Sequence, residues 1–282
     1  MNKTLLGIGK ALCYFLVFFI SQSVASAAAV FLLFVLKFPS FDTGNTFTFF
    51  IELLNEMSAH TTLILLISGL LTLAVYVIFF SIRKKNFFAK CGYNKINVLS
   101  LIPAAVAGVA FNFFVSGLIS LIPENSPLMS DYLSSSAPLL SGNPLLSFFV
   151  IALLTPVVEE TVFRGLVYTR LSRGMPTALA LILQGALFGI MHGSPLWAAY
   201  GFVLGVILGL FFVYFRTLLA PIVFHVFFNA VNFLPLNIEV TAKTSLIFIL
   251  SSAAVIVLLI PLTLKFCKKS PASELVPDNP SL

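Results

Sequence analysis

Long apolar runs separated by short polar segments dominate the chain, at roughly residues 8–36, 60–82, 98–122, 146–170, 176–193, 197–215, 217–235 and 245–264. Each is close to the length that an α-helix needs to cross ~30 Å of hydrocarbon. Within a bilayer the backbone N–H and C=O groups have to be satisfied inside the protein, and an isolated apolar run does this by becoming a helix. The pattern predicts an all-α, polytopic membrane protein with about eight transmembrane helices. Two connecting stretches, FPSFDTGNTFTFFIELLNEM and IPENSPLMSDYLSSSAPLLSGNP, read as partly amphipathic or irregular segments on the membrane surface.

Composition supports this class and excludes others. The 282 residues are 59% hydrophobic and include 31 Phe, with only 9% charged, whereas a soluble domain carries about 25% charged residues. The cations are one-sided. Lys3 and Lys10 stand at the start of the first run, Arg83, Lys84, Lys85, Lys90 and Lys95 follow the second, and Arg170 and Arg173 end the fourth. Arg216 follows the sixth run, and Lys265, Lys268 and Lys269 follow the eighth. Opposite loops hold Lys37 and Lys243 with Asp42, Glu52, Glu56, Glu124, Asp131 and Glu239. By the positive-inside rule this places both termini in the cytoplasm of a multi-pass cell-membrane protein. The net charge of +6 then reports topology and anionic-lipid contact, and no nucleic acid is expected as a partner.

At the N-terminus, Lys3 and Lys10, an apolar run and the small residues Ala25, Ser26 and Ala27 resemble a cleavable signal peptide. The run continues unbroken through Leu36, which favours an uncleaved first span. Cys13, Cys91 and Cys267 have no metal-binding spacing and form no obvious pair; reversible acylation of Cys91 or Cys267 is the alternative to an inert role. The chain divides into an N-terminal membrane region (1–144), a core (145–236), and a last span with a cytoplasmic tail (237–282). His60, at a span edge in the first region, reads as an interfacial residue.

Candidate chemistry lies in the core. Glu159 and Glu160 sit in LSFFVIALLTPVVEETVFRGLVYTRL, where an ionisable pair at membrane depth is costly and points to function. Glu160 and Arg164, four apart, share a helix face and can neutralise each other. Glu159 is rotated ~100° away on a helix of 3.6 residues per turn and is left available as a general base. The alternative is an ion-pair staple between helices with no chemistry. Phe188 and His192 on the fifth span, and His225 and Asn229 on the seventh, repeat the spacing of four. Each polar group is unfavourable in lipid without partners, and one shared polar cavity would satisfy them together. Pro156, Pro195 and Pro221 could loosen backbone around it or simply kink helices. Gly185, Gly189 and Gly193, with Gly201, Gly205 and Gly209, form small-residue stripes that let two helices approach closely.

Glu159-Glu160-Thr161-Val162-Phe163-Arg164 fits EExxxR, Phe188 to His192 fits FxxxH, and His225 to Asn229 fits HxxxN, in that order on successive helices. Residues 145–235 thus resemble the CAAX-protease and bacteriocin-processing (CPBP, Abi) family of intramembrane endopeptidases, which includes type II CAAX prenyl endopeptidases. The resemblance implies that Glu159 and His192 activate a water for attack on a peptide carbonyl. It implies that His225 and Asn229 stabilise the oxyanion, with Glu160, Arg164 and Phe188 in support. Glu159, His192 and His225 could also supply the three ligands and open position of catalytic zinc. HExxH is absent and the same groups suffice without metal, so no cofactor is expected to be required. The expected partners are a membrane-associated peptide or protein substrate and the lipid bilayer. A proton-coupled transporter and a non-catalytic immunity or scaffold protein are the rival readings.

Overall fold

The structure, a computed structural model, describes residues 3–38, 45–235 and 241–269. All its regular elements are helical: α1 (Lys3–Lys37), α2 (Thr46–Ala59), α3 (Thr61–Ile82), α4 (Phe87–Cys91), α5 (Ile102–Ile119), α6 (Pro127–Leu140), α7 (Pro144–Leu171), α8 (Thr177–Ile190), α9 (Pro195–Phe215), α10 (Leu219–Ala230) and α11 (Ala242–Lys269). The protein is an all-α, multi-pass membrane protein. Eight apolar helices match the eight apolar runs, and among the described residues five segments, Thr4–Lys37, Thr61–Ile82, Val98–Ile119, Pro144–Leu171 and Pro195–Phe215, are long and apolar enough to cross a membrane. α8 and Leu219–Phe233 are apolar but shorter than the runs that contain them, while α11 is 28 residues long. The run at 176–193 extends to Gly193, yet α8 stops at Ile190, and the chain turns through Met191, His192 and Gly193, the last at φ 74°. The turn is short and follows fourteen helical residues, so averaged hydropathy overstated the helix.

The loops expected to be partly irregular contain α2 and α6, and α1 runs as one helix past Ala25, Ser26 and Ala27. It packs into the core: Phe18 meets Phe163 of α7 edge-on at 5.6 Å. Outward-facing Phe31 and Leu258 are 69% and 73% exposed, as suits side chains facing lipid rather than water. Cys91 is fully buried, which removes it as an acylation site, and that burial pushes its thiol pKa up. The Cys267 side chain, Asp42, Glu239 and the tail beyond 269 lie outside the described residues.

α7 is the central helix and is not regular. Its segments Phe148–Leu154 and Thr161–Tyr168 are π-helical and flank an α-helical stretch, Thr155–Glu160. Pro156 follows the first of these. Proline lacks an N–H and its ring clashes with the carbonyl four residues back in a regular helix, a conflict that a widened preceding turn relieves. Pro195 and Pro221 loosen nothing: each stands in the first turn of its helix, α9 or α10, where a missing N–H costs little.

The glycine stripes close α8 onto α9, with Gly193 as the exception, since it serves the turn. A Cβ added at Gly189 would lie 2.5 Å from the Ala198 carbonyl oxygen and 2.9 Å from the Phe202 nitrogen, both backbone. Gly189→Ala is therefore expected to force the helices apart at about 1–3 kcal/mol, seen as a lower Tm in detergent. Gly9→Ala, with nothing within 4 Å of the new Cβ, should not lower it.

Candidate active site

The close α8–α9 contact exposes the Gly205 carbonyl to two buried donors, Arg164 Nη2 at 2.9 Å and Gln184 Nε2 at 2.7 Å. Arg164 Nη1 donates to Glu160 Oε1 at 2.8 Å, and both side chains have no solvent exposure. The same carboxylate oxygen receives His225 Nδ1 at 2.9 Å. An ionised carboxylate only accepts, so Nδ1 of His225 carries the hydrogen. Glu160 is thus tied to its own helix through Arg164 and to α10 through His225.

Phe188 is the hub of this cluster. The Arg164 Cζ lies 4.5 Å from its ring centroid, and the His192 and His225 rings meet it at 5.0 and 5.9 Å. A guanidinium over an aromatic face is favourable, the more so when both are desolvated. Glu160 Oε2, Arg164 Nε and Gln184 Oε1 are nevertheless buried without a protein partner. Incomplete satisfaction of this kind is a common mark of sites kept for function rather than stability.

Glu159 is placed differently. Its side chain keeps 17% exposure and, with His192, lines a cavity of about 190 Å³ walled by Phe18, Gly69 and Val158 among others. His192 Nδ1 donates to the Phe188 carbonyl at 2.8 Å, which leaves Nε2 as the free lone pair. His225 Nε2 approaches Glu159 Oε2 at 3.8 Å, too long for a direct hydrogen bond. Asn229 Nδ2 donates to the carbonyl of Ile151, within the first π segment, at 2.9 Å, and one amide hydrogen remains for another acceptor. The structure therefore gathers Glu159, His192, His225 and Asn229 around α7, with Glu160, Arg164 and Phe188 behind them.

Three features escaped the sequence reading. Gln184, fully buried, was signalled by its place in an otherwise apolar helix. Tyr200 on α9 sets its ring 6.5 Å from that of Phe228, the neighbour of Asn229. Ser194 donates to Asp131 of α6 at 2.6 Å and ties the turn carrying His192 to that connecting helix, a link without local spacing to announce it.

As to a metal, Glu159 and His192 share a wall, and His225, with Nδ1 on Glu160, turns Nε2 toward Glu159 at 3.8 Å. Among the described residues no three His, Cys, Asp or Glu side chains form a group that could hold an ion. No step is routed through a metal.

A buried carboxylate–guanidinium pair, a partly open carboxylate and two imidazoles thus form one polar site inside a helical membrane bundle. Residues 141–231 match the family model described as Rce1-like, type II CAAX prenyl endopeptidase Rce1-like. The match bears out the resemblance to CAAX proteases over that stretch and supports an intramembrane protease of the CAAX type in general. No curated protein and no solved structure matches the chain.

Proposed function

We propose that the protein is an intramembrane endopeptidase in which Glu159 and His192 activate water. The observation that supports this most is the division of labour between adjacent carboxylates: Glu160 is held through Oε1 by Arg164 and His225, while Glu159 faces a cavity shared with His192. A water in that cavity gives a proton to Glu159 while His192 Nε2 orients it, and its oxygen attacks the carbonyl carbon of a peptide bond. The oxyanion that forms is met by the remaining Asn229 amide hydrogen, with the His225 ring beside Glu159. Donors of this kind are worth roughly 3 kcal/mol each in a dry site. The proton on Glu159 passes to the leaving nitrogen as the C–N bond breaks. Phe188 fixes the distance between the two imidazoles.

Substrates of this reading are membrane-associated peptides, leader peptides or signalling propeptides, prenylated or not. The test is cleavage of quenched transmembrane peptides by the purified protein in liposomes. Dialysis against strong chelators is expected to leave a metal-free protein that still cleaves; stoichiometric zinc that tracks activity on removal and return would defeat the metal-free route. Proton flux without cleavage would favour the transporter.

The orientation is a further proposal. The structure brings Lys10, Arg83, Lys85, Lys90 and Arg170 to one end of the bundle, where Asn94 also bonds the Arg216 carbonyl. At the other end Lys37 pairs with Glu56 at 2.9 Å, which lowers the Glu56 pKa. Reporter fusions after Lys90, Arg173 and Arg216 should report cytoplasm, and fusions near Glu52 and Asp131 the exterior. An exterior signal at Lys90 would overturn this topology.

A further inference from the structure

Outside the catalytic motifs, five cations converge on one small cavity. Its volume is about 150 Å³, and it is lined by Lys10, Arg83, Lys85, Lys90 and Arg170, with Cys13, Tyr14, Phe79 and Phe80 completing the wall. The cations come from four places: α1, the turn after α3, α4 and the end of α7. Like charges gathered this way repel one another, so their convergence has to be held by other contacts.

Those contacts are visible. Thr4 donates to the Gly174 carbonyl at 2.6 Å, and Gly7 approaches the Arg170 carbonyl so closely that an added Cβ would stand 2.9 Å from it. One turn further along α1, this brings Lys10 to the cavity that Arg170 lines. Tyr76 donates to the Tyr14 carbonyl at 2.5 Å, and the Tyr14 ring stacks on Phe80 at 6.2 Å. The two guanidiniums are laid over rings of the same wall, Arg83 4.3 Å from the Phe79 centroid and Arg170 5.9 Å from that of Tyr14. Between Arg83 and Lys85, Lys84 adopts φ 53°, a left-handed conformation usually left to glycine at a helix end. The Lys85 N–H closes back on the Phe80 carbonyl at 2.9 Å. This turn sets the side chains on either side of Lys84 at one cavity.

Among the described residues, Arg83, Lys85, Lys90 and Arg170 have no carboxylate within salt-bridge distance. Partial burial, together with Arg83, Arg170 and Lys10, holds the Lys85 ammonium pKa below its usual range. Burial, with Arg173, Lys85 and Arg170, does the same for Lys90. These four cations therefore have no carboxylate partner among the described residues. Topology alone asks only that Lys and Arg lie on one side of the membrane; it does not require a walled cavity with two pre-oriented guanidiniums.

We infer that this cavity is a binding site for a phosphate group, carried by an anionic lipid headgroup or by free phosphate. Guanidiniums bind phosphate oxygens in bidentate fashion and ammoniums add charge, and Phe79 and Phe80 offer an apolar edge to the carbons of a phosphodiester. The site does not depend on the proposed peptidase activity, because its test reads binding.

The full chain in nanodiscs of phosphatidylcholine doped with phosphatidylglycerol, released for native mass spectrometry, should retain phosphatidylglycerol in preference to phosphatidylcholine. Separately, the Tm in phosphatidylcholine alone is measured with inorganic phosphate against chloride at matched ionic strength. Arg83→Gln with Lys85→Gln is expected to weaken retention or protection by roughly tenfold or more, from two lost charge-assisted contacts. Lys84→Gln with Lys95→Gln removes the same charge from exposed neighbours outside the cavity and should change little. Selective phosphatidylglycerol retention without a phosphate effect identifies the lipid as the source; protection by phosphate without lipid selection identifies the free anion. Either supports the site. Equal retention of both lipids with no phosphate effect overturns it, as does equal weakening by both double variants, which would mean diffuse surface charge. If the cavity variant fails to fold, the wild-type arms still decide between binding and none.

Discussion

Arg164→Ala is expected to lose roughly 3–5 kcal/mol of stability, the cost of breaking a buried ion pair by removing one partner. The arrangement explains why the loss should be near the upper end. Arg164 is wholly buried, pairs with Glu160, bonds the Gly205 carbonyl and covers the Phe188 ring, so one substitution strands a carboxylate and opens a hole beside the hub. Glu160→Gln should destabilise to a similar degree, because it leaves the guanidinium without its anion and replaces the charged acceptor of His225 Nδ1 by a weaker neutral one. The double change Glu160→Gln with Arg164→Met leaves no unpaired charge and should recover more folded protein than either single change. Tm in detergent for the four proteins checks this. If Arg164→Ala melts like wild type and loses only turnover, the Arg acts on substrate rather than on the fold.

The second large effect is catalytic. Glu159→Gln and His192→Ala are each expected to abolish cleavage, with losses of about 10²–10⁴-fold for a general base. The double variant should be no worse than the poorer single one, because the two groups act on the same water and their losses do not add. Both proteins should fold. Glu159 is partly exposed in a cavity and pairs with no cation in the way Glu160 does, and His192 stands in a turn beyond the end of α8. Rates are compared per folded enzyme, from initial cleavage of a transmembrane peptide.

What the sequence disclosed about this site follows from helix spacing. Glu160 with Arg164, and Phe188 with His192, are contacts between residues four apart, and a periodic backbone makes such contacts readable without a fold. The bond from His225 to Glu160 joins residues on different helices, so no local rule could announce it, yet it decides which nitrogen of His225 carries hydrogen. Asn229 with Ile151 is of the same kind, and it depends on a π-helical carbonyl that 3.6-residue periodicity does not contain. The apolar runs located all eight apolar helices and overstated the lengths of two, because a hydropathy window averages over a short turn at the end of an apolar helix. The glycine stripes foretold the α8–α9 contact but not its use, which is to offer the Gly205 carbonyl to Arg164 and Gln184.

The central claim is that the two adjacent carboxylates differ in kind, Glu159 acting on water and Glu160 holding the site together. It is tested most directly by purifying Glu159→Gln and Glu160→Gln in parallel and measuring peptide cleavage per folded molecule beside Tm. The account predicts a Glu159→Gln protein with a near wild-type Tm and no cleavage, and a Glu160→Gln protein with a markedly lower Tm. A Glu159→Gln protein that cleaves at the wild-type rate, beside a stably folded and inactive Glu160→Gln, would contradict it.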